Sequence, residues 1–110
     1  MKLAVEKSAL FETDVTRQFG WYVDEAGEPL AWRFFTAVDS ALAKLARQPD
    51  LGRVRHFRNP RLRGLRSFRV EPPFARLLIF YRVTDGMLRA WRLMHSARDL
   101  PHRLVEPPGS

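Results

Sequence analysis

No cysteine occurs in this chain, so a disulfide scaffold and thiolate metal ligation are both excluded. Long apolar runs are missing too. No window approaches the roughly 20 apolar residues that span a bilayer, and the opening MKLAVEKSAL lacks the apolar core of roughly 7–15 residues that marks a secretory signal. Serines are few (Ser8, Ser40, Ser67, Ser96, Ser110), and none sits in a nucleophile elbow. Gly52, Gly64 and Gly86 stand singly, so no glycine-rich loop cradles a phosphate. His56, His95 and His102 have no spacing that brings two of them onto one ion, and His95 to Asp99 is the nearest pairing with an acid. Neither a metal nor a cofactor is expected. The residues that remain describe a small cytoplasmic protein without a membrane partner.

Acid is the next scarcity, and it is local. Residues 1–52 carry six Lys or Arg against eight Asp or Glu, a net of −2. Residues 53–110 carry thirteen Arg, no Lys and four acids, a net of +9, which completes the chain's +7. An excess confined to one half points to an anionic partner: nucleic acid, a phosphate-bearing site or an acidic protein segment.

At 110 residues and 45% hydrophobic, the chain suits one domain with a small core. Alternation over Lys2–Glu6 predicts a short half-buried strand. Ser8 is placed to cap a helix, whose stripe is Phe11, Val15, Phe19, Tyr22 and Val23, closed by Ala26-Gly27. Pro29 then opens a second helix with Ala31, Phe34, Phe35, Val38, Ala41, Leu42 and Leu45 on one face, stopped at Pro49. The short link predicts an antiparallel hairpin. The Arg-rich run from Arg53 to Arg63 predicts an irregular basic segment.

Three strands follow. In Leu65–Val70, Phe68 and Val70 share a face with Arg66, while Ser67 and Arg69 take the other. Glu71-Pro72-Pro73 makes a corner, and Leu77-Leu78-Ile79-Phe80-Tyr81, apolar on both pleats, is the central strand. Asp85-Gly86 is a hairpin turn leading into Leu88–Met94, with Trp91 and Leu93 on one face and Leu88, Ala90 and Met94 on the other. The fold class is α+β: a short N-terminal strand and an antiparallel helical hairpin packed on a small, mostly antiparallel sheet. One domain is expected over residues 1–104, with a flexible tail at 105–110.

The chemistry in this frame is cationic. Arg66, Arg69, Arg76, Arg82, Arg89, Arg92, His95, Arg98 and Arg103 lie on and after the meander, and guanidinium forks pair with phosphates and carboxylates. His95 adds a general acid–base side chain, which makes phosphodiester cleavage chemically conceivable. Taken singly, each arginine is better read as the solvated face of a thin sheet; taken together, nine cations with so few anions point to function.

The segments LARQPDLG, LRGLRSFRV and LLIFYRVTDGMLRAWRLMHSARDL, in that order and spacing, resemble the RelE/ParE superfamily of toxins from bacterial type II toxin–antitoxin systems over about residues 3–104. The resemblance implies a toxin neutralised by a cognate antitoxin. RelE-like members cleave mRNA in the ribosome with basic residues on the sheet and a Tyr or His near the C-terminus; ParE-like members poison DNA gyrase instead. On that pattern Arg66, Arg69, His95 and Arg98 are the residues a ribonuclease would use. However, Leu78 falls where RelE holds an Arg, Arg76 is an imperfect substitute, and no tyrosine follows Tyr81. The ending His-Ser-Ala-Arg-Asp looks like ParE. The resemblance therefore implies a ParE-like gyrase poison with Arg66, Arg69, Arg82, Arg92, His95 and Arg98 against the target. A ribosome-dependent mRNA endoribonuclease is the alternative and an Arg-rich nucleic-acid-binding module the second. Trp21, Trp32, Leu3 and Val5 offer apolar surface and strand edge to the antitoxin, through which alone operator DNA would be reached.

Overall fold

The computed structural model describes residues 2–96, 104 and 105. Its elements run β1 (Ala4–Lys7), α1 (Ala9–Ala26), α2 (Glu28–Arg47), β2 (Arg53–Val54), β3 (Arg66–Arg69), β4 (Leu77–Thr84) and β5 (Met87–His95), with 3₁₀ turns at Pro49–Leu51 and Pro60–Leu62. The sheet order is β1-β5-β4-β3-β2. β1 lies parallel to β5, and the other three pairings are antiparallel. The expected α+β architecture is present.

Local chemistry explains the elements. The Ser8 hydroxyl accepts from the Phe11 amide at 3.0 Å, capping α1, and donates to the Trp91 carbonyl at 2.7 Å, tying that cap to β5. Gly27, at φ +92°, takes the backbone between α1 and α2 through a region that side chains disfavour. Asp85 and Gly86 both have positive φ, the two-residue hairpin turn their sequence predicts. α2 buries Ala31, Phe34, Ala37, Val38, Ala41, Leu42, Leu45 and Ala46. Four of those eight are alanines, so the helix axis can approach the sheet closely.

β4 is apolar on both pleats and is covered on both. Leu77, Ile79 and Tyr81 face the helices in a core with Phe11, Phe34, Leu45 and Leu88. Leu78 and Phe80 face away, into a second core with Leu62, Leu65, Met94 and Leu104. The second core rests under the chain between β2 and β3. Arg53–Val54, expected to be irregular, pairs with β3 through Ser67 and Arg66 and forms the opposite sheet edge from β1.

One strand departs from simple alternation. Ala90 lies opposite Tyr81 and Arg92 opposite Phe80, which leaves Trp91 as an extra residue in β5. This bulge resets the faces, so Leu93 joins Leu88 and Ala90 in the helix-side core while Trp91 packs with Met94 on the other. The expected grouping of Trp91 with Leu93, and of Met94 with Leu88, is corrected accordingly. Strict alternation cannot carry across an inserted residue.

Two polar clamps fix the assembly. Beyond the end of β1 the Leu93 amide would be an open edge donor, and Asp14 of α1 accepts it at 3.0 Å. The same carboxylate takes the Arg92 guanidinium at 2.7 and 3.0 Å. Both side chains are buried, 8% and 3% exposed. On the far side of the helical core, the Tyr81 hydroxyl donates to the Pro49 carbonyl at 2.6 Å and accepts from the Gly52 amide at 2.9 Å. Burial holds the Tyr81 phenol above its ordinary pKa, and the Gly52 amide offsets part of that rise.

Asp14→Ala should cost about 1–3 kcal/mol in urea unfolding, since it removes the buried acceptor that the Leu93 amide and the Arg92 guanidinium share; an unchanged midpoint would show that both donors find other acceptors. Gly52→Ala should cost about 1–3 kcal/mol. A Cβ there would lie 2.6 Å from Cε1 and 2.7 Å from Cζ of Tyr81, and closer still to the hydroxyl oxygen. An unchanged midpoint would mean that the ring yields.

Candidate functional site

Arg66, Arg69 and Arg82 of the meander are anchored to the protein's own backbone, each in a different place. Arg66 points to the helix side of β3, where Nη1 donates to the Gly52 carbonyl at 2.9 Å and Nη2 lies 3.5 Å from the Asp50 carboxylate. Arg69, on the opposite face, donates to the Ala75 carbonyl at 2.7 Å and braces the corner between β3 and β4. Arg82 reaches over the Trp91 ring, 5.4 Å from its centroid, and donates to the carbonyls of Arg61 and Arg63 at 2.6 and 2.8 Å. Its desolvation lowers its pKa, as expected for a cation pressed under a loop. Arg89 pairs with Glu6 across β1 and β5 and with Asp85 at 3.9 Å.

Arg92 was expected on the target-facing surface, but at 2% exposure it is an interior residue. The reason is the bulge together with the edge carboxylate of Asp14, a residue with no signal in the sequence beyond its place in an amphipathic helix. His95 ends β5 half-buried, opposite Leu77. Arg98 lies outside the described residues, as does Arg103.

These placements bear on what the set can do chemically. Arg66 shares its sheet row with Tyr81, and His95 shares its row with Leu77, both on the helix side. Four residues along a strand and two strands across put their Cα atoms about 16 Å apart. Arg69 shares its row with Leu78 and Met94 on the other face. Arg66, Arg69 and His95 therefore do not converge on a common reacting atom. A general acid or base must come within hydrogen-bond reach of the proton it moves, and Arg69 lies on the sheet face opposite Arg66 and His95. The single guanidinium-studded platform suggested by the sequence is instead distributed over two faces.

The apolar residues named for a partner fall in two places. Trp32 is 55% exposed and packs edge-on against Phe19, with ring centroids 4.9 Å apart. It lines a groove of about 370 Å³ with Pro29, Arg33, Thr36, Pro72 and Phe74. Trp21, 54% exposed, stands beside Tyr22 on α1. Leu3 and Val5 belong to the β1 edge, where the Leu3 amide donates to the Ala46 carbonyl at the far end of α2. Fourteen residues of helix separate Trp32 from Ala46, about 21 Å. The helix-hairpin aromatics and the strand edge are thus distinct surfaces.

More cationic, and missed by a reading centred on the meander, is the chain from β2 to β3. Arg53, Arg58, Arg61 and Arg63 are all exposed. Arg55 lies 5.8 Å from the ring centroids of Phe57 and Phe80 and donates to Ser67 at 3.2 Å. Burial lowers its pKa, and the neighbouring Arg53 lowers it further.

Among solved structures, the fold is similar to that of a chromosomal ParDE toxin–antitoxin system from P. aeruginosa, with a TM-score of 0.69 at 16% identity over 86% of this chain and 96% of that one. A search of curated proteins returns no match to the sequence. Residues 5–100 match the family model for the ParE toxin of the type II toxin–antitoxin system parDE. On that match, which spans β1 to the end of the meander and beyond, the chain belongs to the ParE toxin family.

Proposed function

We propose that this protein is the growth-inhibiting toxin of a type II toxin–antitoxin pair, that it acts in the cytoplasm by poisoning DNA gyrase, and that a cognate antitoxin neutralises it. The observation that carries the proposal is the family match over residues 5–100. Two features of the site support binding rather than bond cleavage. Arg66, Arg69 and Arg82 are committed to backbone carbonyls, and Arg66 and Arg69, two of the residues a ribonuclease would use, lie on opposite faces of the sheet. A poison needs only to hold its target in one state, so it requires complementary surface and no proton transfer.

The antitoxin would cover the two apolar loci. An amphipathic helix fits beside Phe19, Trp32 and the adjacent groove, and an extended segment fits the free edge of β1. An acidic partner would also find the Arg-rich second half complementary.

Expression of the chain in a bacterium should give filamentous, SOS-induced cells, and the purified protein should inhibit supercoiling by gyrase and raise the yield of cleaved DNA. Co-expression of the antitoxin should restore growth. New mRNA 5′ ends with supercoiling untouched would overturn the gyrase reading in favour of ribosome-dependent cleavage. Trp32→Ala should weaken antitoxin capture by at least tenfold while leaving gyrase inhibition intact; unchanged capture would move the partner off the helix hairpin.

A further inference from the structure

Between Asp50 and Glu71 the chain has seven arginines, one histidine and no carboxylate. The fold lays this segment over the sheet face that the helices leave open. Arg53 is opposite Ser67, on the side of Phe80. The backbone at Arg61 and Arg63 sits over the Arg82 guanidinium, and Leu62 is fully buried in the core beneath. The Asn59 side chain accepts from the Arg61 amide at 3.0 Å, closing the turn. The segment is therefore held to the sheet at several points, and its outward side chains are presented from a fixed base.

Four of those side chains have no internal role. Arg53, Arg58, Arg61 and Arg63 are exposed, and among the described residues none makes an ion pair or a side-chain hydrogen bond. They contrast with Arg66, Arg69, Arg82, Arg89 and Arg92, all of which do. Four cations within eleven residues of one pinned segment, with no acid among them, repel one another, and the arrangement is relieved when an anion of matching extent lies across them. Every cation is an arginine, whose planar fork suits phosphate oxygens.

The aromatic rings discriminate between nucleic acids. Single strands are held by bases stacked on open rings. Here Phe57 and Trp91 pack into the second core and carry guanidinium groups over their faces. Apart from the small exposed ring of His56, the segment offers charge without a stacking platform, which suits the backbone of a duplex.

We propose that Arg53, Arg58, Arg61 and Arg63 form a site for the phosphate backbone of duplex DNA. The toxin would then touch DNA itself through the β2–β3 connection, where the resemblance implies contact with operator DNA only through the antitoxin. The site is sequence-blind, since phosphates carry no base code, and it is independent of whether gyrase is the target.

The test is fluorescence anisotropy of a labelled 30-base-pair duplex of scrambled sequence with the purified full chain and no gyrase. Binding should be micromolar at low salt, with log K falling against log salt at a slope of about −3.6 for four phosphates. The variant R53Q/R58Q/R61Q/R63Q should bind at least tenfold more weakly with a slope near zero, and R58Q/R61Q should lose about half the slope. R17Q/R33Q/K44Q/R47Q, which removes equal charge from exposed helix positions, should stay within about threefold of the parent. Thermal melting checks that each variant folds. Equal losses in the two quadruple variants would reduce the effect to net charge and overturn the site. So would tighter binding to single-stranded RNA, or no binding to the duplex at low salt. None of these outcomes bears on gyrase poisoning, which is read in a separate assay.

Discussion

The fold depends on covering both faces of β4. A strand reading Leu77-Leu78-Ile79-Phe80-Tyr81 has no solvent side, so each pleat needs an apolar partner. The chain provides one helical hairpin, which covers one pleat. The other is covered by the β2–β3 connection and by Leu104 and Val105. Loops make poor covers because their backbone carbonyls need donors where water is excluded. Arginine solves that problem on this sheet, because one guanidinium has five donors and a flat plate that lies on a ring. Arg82 satisfies two loop carbonyls while resting on Trp91, and Arg55 roofs Phe57 and Phe80.

This reassigns the cations by function. The arginines that the sequence places on the meander are mainly fasteners: Arg66 holds the turn at Asp50–Gly52, Arg69 the corner at Ala75, Arg92 the first turns of α1. The arginines on the covering loop are left free to act. A strand presents alternate residues to a crowded neighbour, whereas a loop pinned from below turns its remaining side chains outward. Unpaired charge therefore concentrates on the cover rather than on the sheet, one layer further out than the strand pattern implies.

The sequence was legible wherever a signal was local. Ser8, Gly27, Pro29, Pro49 and Asp85-Gly86 mark the ends of helices and the hairpin because caps and turns are decided within a few residues. Helix periodicity named most of what the helices contribute to the helix-side core, Ala37 excepted. Illegible were the facts that depend on partners distant in sequence. Nothing near Asp14 announces that its carboxylate will meet β5 seventy-eight residues later. Nothing near Trp91 shows that it is an inserted residue, since the bulge exists only relative to Phe80 and Tyr81 on β4. The second core was invisible for the same reason: Leu62 and Leu65 look like isolated leucines in a basic run until Phe80 lies beneath them.

Asp14 and Arg92 show how these long-range facts combine. β1 is four residues long and releases β5 at Ala90, so the edge beyond would be open to pairing with another strand. The Asp14 carboxylate occupies the place of the missing strand's acceptor, and Arg92 neutralises it. Because α1 carries Asp14, this buried pair joins the Ser8 cap in fixing the helix hairpin in register to the end of the meander. The open edge of β5 is thus closed by a side chain of the helical layer, and the same contact ties the two layers together.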